Sequence, residues 1–115
     1  MKPIIEYPDF EKLDLRVGKV IEATAPEWSN KLLQFTVDFG VEIGQKNILS
    51  GVRQWYQPDF FVGKNFPFIV NLAERKMGES VSQGMMIMAD VVEGESAKPT
   101  IFVLPDEIPA GTTIR

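Results

Sequence analysis

The sequence contains no cysteine and no histidine. Without cysteine there is no disulfide and no thiolate chemistry. Without histidine the commonest general base and the commonest metal ligand are missing, which excludes Ser-His-Asp triads, Cys-His pairs and histidine-based zinc sites. No Walker or dinucleotide glycine motif occurs. Carboxylates that could pair for acid–base work (Asp9, Glu11, Asp14, Asp59, Asp106, Glu107) fall mostly in turns and helix starts. No apolar run approaches the roughly 20 residues that span a bilayer. The N-terminal MKPIIEYPDFEKLD carries acids and prolines where a signal peptide carries an apolar core. These absences disfavour an enzyme. They point to a binding protein without metal or cofactor, away from membranes and expected in the cytoplasm.

At 115 residues there is room for one hydrophobic core, and an apolar content of 44% is that of a folded chain. Residues 1–115 therefore read as a single domain. The net charge of −4 argues against nucleic acid as a partner, but its distribution argues the other way. Residues 31–76 hold six cations (Lys31, Lys46, Arg53, Lys64, Arg75, Lys76) against four acids, while the remainder holds six cations against twelve acids. The middle of the chain is positive relative to its ends, which a mixed solvated surface also produces often.

Organisation centres on Phe66 to Asp90, FPFIVNLAERKMGESVSQGMMIMAD. Two β-prone apolar runs (66–70 and 86–88) flank a polar, basic loop over 71–80, and a Ser82-Gln83-Gly84-Met85 corner opens the return. Before this stretch, PDFEKLD (8–14) reads as a short helical turn. Leu15–Thr24 alternates as a first strand, with Gly18 marking a bend or bulge. After a turn at 26–30, Lys31–Phe39 and Gln45–Ser50 read as second and third strands, joined by a polar link at 41–44. Pro58–Lys64 has helix signals: proline at the start, and glycine and lysine at the end. Past the central stretch, Thr100–Leu104 alternates again, and a last short strand lies near 112–114. Strands of this length and spacing predict an all-β, five-stranded Greek-key barrel of the OB type, with a short helix between strands three and four and extra strands at the termini. Periodicity alone leaves an SH3-like barrel open.

An ordered set of residues is recognisable: Leu15-Arg16-Val17-Gly18-Lys19-Val20, Lys31-Leu32-Leu33, Ser50-Gly51, Tyr56, Gly63-Lys64, Asn71-Leu72, Met77-Gly78, Ser82-Gln83-Gly84-Met85, and Pro105 with Pro109 and Gly111. The chain resembles, from about residue 9 to its end, the tRNA-binding domain appended to bacterial methionyl-tRNA synthetases. That domain also occurs in free-standing structure-specific tRNA-binding proteins and in the cytokine-like domain of eukaryotic synthetase complexes. Val37-Asp38-Phe39-Gly40, with Glu42-Ile43-Gly44 and Lys46, is similar to the CsaA-type proteins, a branch described as peptide-binding chaperones linked to secretion. Asn30 stands where the family commonly has aspartate, Trp28 is unusual in its turn, and Glu74 dilutes the charge of the loop.

The resemblance implies an OB fold, a homodimer, and tRNA held by shape and backbone. Precursor peptides are the alternative partner. Lys31, Arg53, Arg75 and Lys76 are the expected phosphate contacts, with solvated surface cations as the plainer reading. Ser82 and Met85 are expected to touch RNA from the surface. Gly84 allows either close approach of a ligand or a structural bulge. Asn30, Trp28, Lys46 and Gln83 are additional candidates. Trp55 and Tyr56 are expected to pack over the barrel mouth, although bases stack on such rings in other OB folds. Met77, Met86 and Met88 read as core or groove lining. The apolar residues of the terminal extensions (1–14 and 100–115), Ile4, Ile5, Tyr7, Ile101, Ile108 and Ile114, are the expected dimer interface.

Overall fold

Along LQFTVD, alternate residues Leu33, Phe35 and Val37 are fully buried while their neighbours are half-exposed, the period-two pattern of a strand with one face on a core. In the computed structural model, which describes all 115 residues, this is β2 (Leu33–Asp38). It lies between β1 (Leu15–Thr24) and β3 (Gln45–Ser50). On its other side β1 pairs with β4 (Asn65–Ile69), and β4 pairs with Met85–Met86. All of these pairings are antiparallel. In chain order, β5 (Arg75–Met77) and β6 (Ser80–Ser82) form a hairpin and Met85–Met86 is β7. A second hairpin joins β8 (Met88–Glu93) to β9 (Ser96–Ile101), and β10 (Thr113–Ile114) pairs with β1.

The order β3-β2-β1-β4-β7 curls into the expected nearly closed five-stranded barrel of the OB type. Side chains complete its seam. The Gln83 N–H donates to the Asn47 carbonyl at 2.8 Å, and the Asn47 N–H donates to Gln83 Oε1 at 2.9 Å. The Leu49 N–H donates to Ser82 Oγ at 3.0 Å. Inside, Phe39 meets Phe68 edge-on at 5.1 Å and Phe35 meets Phe61 at 4.7 Å. Such aromatic pairs add about 0.5–1.5 kcal/mol beyond their burial. Gly18 makes room for this arrangement, because a Cβ there would collide with Phe39, Val37 and Phe68. Gly18 reads in the sequence as a bend or bulge, and the register shift of β1 against β2 lies between Val20 and Glu22.

Several sequence expectations are corrected in detail. The helix expected over 58–64 is a three-residue 3-10 turn, Pro58–Phe60, and Gly63 at φ 83° ends the segment. The link at 41–44 contains a helical turn, α2 (Gly40–Ile43), which follows α1 (Tyr7–Phe10) in chain order. The basic loop over 71–80 contains strand β5 and the turn of the β5–β6 hairpin. The strand expected over 100–104 belongs to β9 and ends at Ile101, leaving Leu104 in a single bridge to Asn65. Polar side chains pin both termini to the barrel. Asn71 accepts the Asp14 N–H at 2.8 Å and donates to the Lys12 carbonyl at 2.7 Å. Buried Asn65 donates to the Pro105 and Ile108 carbonyls, each at 3.0 Å. Arg16 bonds Asp14 at 2.7 Å and the Gly111 carbonyl at 3.2 Å, and the Asp14 hydrogen bond raises its pKa above the usual arginine value.

Candidate nucleic-acid interface

The alternation of β5 sends Arg75 and Met77 to one face and Lys76 to the other. Arg75 and Met77 line a cleft of about 600 Å3 together with Leu49, Leu72, Met85, Met86 and Met88, and Ser50, Gly51, Asp90 and Pro99 also border it. The volume is within the range of roughly 300–1,000 Å3 found for ligand sites. Met85 is 47% exposed, whereas the adjacent Met86 is buried in the core. The cleft thus combines an apolar, polarisable lining with one guanidinium, of Arg75, and one carboxylate, of Asp90.

Of the residues expected at the site, the cleft brings together Arg75, Ser82, Gly84 and Met85. Ser82, read from the sequence as a surface hydroxyl, is buried. Its oxygen accepts from the Leu49 N–H and donates to the Gly84 carbonyl at 2.9 Å, so it serves the barrel seam. Gly84 has φ 145°, and a Cβ there would press on the Ile69 carbonyl, which makes this glycine structural. Gln83 is likewise engaged in the seam and donates to Glu74 at 3.1 Å. Lys76 is exposed on the opposite face of the hairpin, cross-strand from Val81. Lys46 is half-buried and shares a face of β3 with core residue Ile48, opposite Leu49.

Lys31 and Asn30 are exposed in the turn before β2. The Lys31 carbonyl accepts the Arg53 N–H at 3.1 Å, which places this turn beside the Ser50–Gly51 rim. The Arg53 side chain points into the same turn: one guanidinium nitrogen donates to the carbonyls of Pro26, at 2.9 Å, and Ser29. Arg53 therefore holds the turn's shape. Half-buried Trp28 rises from that turn and packs on Gly78 at the β5–β6 hairpin tip, where a Cβ would enter the indole ring. Arg53 and Trp28 thus fix the Lys31 turn to the hairpin carrying Arg75 and Lys76. Tyr56 packs at 5.6 Å from Phe61 and bonds the Pro99 carbonyl at 3.1 Å, whereas Trp55 is 42% exposed.

Sequence reasoning missed Leu72, Asp90 and Pro99 at the cleft and Asn47 at the seam. Asn47 Nδ2 donates to Ser80 Oγ at 3.0 Å and to the Val81 carbonyl at 2.8 Å, a seam role that no short motif signals.

The family model described as "Putative tRNA binding domain" matches residues 15–113. The chain belongs to this tRNA-binding domain family. Its curated relatives include the methionine–tRNA ligase of Paraburkholderia xenovorans, 44% identical over 104 residues, and that of Chromobacterium violaceum, 52% identical over 90 residues. The matches cover 90% and 77% of this chain but only 14% and 13% of those ligases, so the chain spans about a seventh of their length. A crystal structure of a MetRS-related protein from Pyrococcus horikoshii superposes with a TM-score of 0.89 at 31% identity, covering 99% of this chain and all of that one. The CsaA chaperone protein of Picrophilus torridus superposes at 0.80 with 26% identity, covering 97% of this chain and all of its own. The tRNA-binding domain family thus links this barrel to both branches that its sequence resembles. No helix in it is long and apolar enough to cross a membrane.

Proposed function

We propose that this chain is a non-catalytic tRNA-binding domain that grips folded tRNA by shape and backbone, as a homodimer in the cytoplasm. The observation that carries this reading is the cleft lined by Arg75 with the Lys31 turn braced beside it, because two cationic elements then adjoin one apolar lining. Lys31, Arg75 and Lys76 would neutralise phosphates, and Met85 would meet an exposed base. Ser82, Gly84 and Gln83 would hold that surface in shape. Homodimerisation is supported by the exposed apolar residues of the extensions: Ile4 is 88% exposed, Ile5 63% and Phe102 44%. Phe102 also lines a second groove with Val17, Pro67, Leu104, Ile108 and Ile114.

The deciding experiment is retention of total tRNA across a salt series, against duplex RNA of similar charge. Tighter binding to tRNA that falls steeply with salt is the expected outcome. Equal affinity for the duplex, or no binding at low salt, overturns the reading. Light scattering at micromolar concentration should give twice the 13.0 kDa protomer mass. The protomer mass would refute the dimer.

A second reading is favoured by the same cleft. Four methionines with Leu49 and Leu72 form an adaptable apolar surface suited to varied extended peptides, as in a CsaA-like chaperone. Suppression of aggregation of an unfolded client, unaffected by added tRNA, would select it.

A further inference from the structure

Met77, Met85, Met86 and Met88 all line the one cleft, and they are four of the five methionines in the chain. With no cysteine present, these four thioethers and that of Met1 are all the sulfur the protein has. Their exposure is graded: Met85 is 47% exposed, Met77 and Met88 are half-buried, and Met86 is only 4% exposed. A thioether is the side chain most open to two-electron oxidation once thiols are absent, and access decides the order.

We propose that this cleft is a reversible oxidation site, in which a peroxide converts the Met85 thioether, followed by those of Met77 and Met88, to sulfoxides and thereby weakens binding at the cleft. In the step, a sulfur lone pair attacks one peroxide oxygen, the O–O bond breaks and an S–O bond forms. Sulfur is oxidised by two electrons, and with hydrogen peroxide the other oxygen leaves as water after taking the proton of the oxygen that is transferred. A methionine sulfoxide reductase with a dithiol reverses it. The sulfoxide is polar and a stronger acceptor than the thioether, so the cleft lining loses its affinity for apolar groups. At Met77 the new oxygen appears on the face of β5 that carries Arg75, where a guanidinium N–H can donate to it and be drawn away from a ligand phosphate. Buried Met86 is spared, so the barrel remains folded.

The effect on RNA rests on the tRNA-binding reading; the modification itself does not. The full chain is treated with hydrogen peroxide and followed by peptide mass mapping, far-UV circular dichroism, binding of an apolar dye and tRNA retention. One added oxygen should appear first at Met85 among the four, and last at Met86. Dye binding and tRNA affinity should fall about tenfold with the β-sheet spectrum intact, and reductase should restore both. A variant carrying M77L, M85L and M88L should keep its affinity after peroxide. Oxidation of Met86 as fast as Met85, or binding lost only together with the β-sheet spectrum, overturns the proposal. So does unchanged dye binding in a protein oxidised at Met85. If untreated protein retains no tRNA, the RNA reading fails, and the mapping and dye results still decide the oxidation site.

Discussion

Gly78 and Trp28 offer the sharpest quantitative test of how the two cationic elements are held together. Gly78 opens the two-residue loop of the β5–β6 hairpin at φ 64°, a conformation that costs an L-residue about 1–2 kcal/mol. A Cβ at this position also enters the Trp28 ring, so Gly78→Ala displaces the indole as well. A core tryptophan cut to alanine loses about 3–5 kcal/mol, and a half-buried ring about half of that, roughly 2 kcal/mol. Gly78→Ala alone should therefore cost about 3–4 kcal/mol, but only about 1–2 kcal/mol in a Trp28→Ala background, where no ring remains to be displaced. The coupling of about 2 kcal/mol is read from a double-mutant cycle, by urea unfolding followed with far-UV circular dichroism. Additivity within about 0.5 kcal/mol would mean that the indole does not rest on the hairpin, and the argument that Trp28 braces the Arg75 strand against the Lys31 turn would fail.

Gly18→Ala should destabilise the barrel by more than about 3 kcal/mol in thermal unfolding, since the new methyl meets Phe39, Val37 and Phe68 at the centre of the core. Ser82→Ala should cost about 1–3 kcal/mol in urea unfolding, because the Leu49 N–H is left buried without its acceptor. Arg75→Ala should lower the slope of log affinity for tRNA against log salt by about one and also alter binding of an apolar dye. Lys76→Ala, on the opposite face of β5, should change the slope and leave the dye unaffected.

The barrel was legible in the sequence because its information is periodic. Strands β1 to β4 alternate or run apolar between glycine and proline punctuation, and core residues Phe35, Phe39, Phe66 and Phe68 lie where that pattern places them. What was not legible depends on closure. The 71–80 segment reads as a loop because β5 and β6 are three residues each and polar, too short for periodicity to register. Ser82 and Gln83 look like surface chemistry in the sequence, yet both complete the seam with β3 because that seam is bonded through side chains as well as backbone. Arg53 reads as a phosphate ligand for a similar reason: a cation in a loop shows its charge in the sequence, but the two carbonyls that capture it are 24 and 27 residues away. Adjacent Arg75 and Lys76 read as one patch until the strand alternation separates them.

The acidic net charge and the proposed RNA partner are reconciled by distance. At physiological salt the Debye length is about 8 Å, while the molecule extends 41 × 40 × 28 Å. A phosphate in the cleft then feels Arg75 and Asp90, which line it, while acids more than a Debye length away are screened. At about 0.01 M salt the Debye length grows to about 30 Å, comparable to the whole domain, and the net charge of −4 acts on the bound tRNA as one field. Two opposing trends follow: local cation–phosphate contacts tighten as salt falls, while long-range repulsion grows. The plot of log affinity against log salt should be straight from about 0.5 M down to about 0.1 M and flatten or turn over below about 0.03 M. Fluorescence anisotropy of labelled tRNA, with magnesium held constant at a low level, measures this directly. A line that stays straight to about 0.01 M would show that the acidic ends lie outside the field of the bound RNA, and that net charge has no bearing on this domain's affinity.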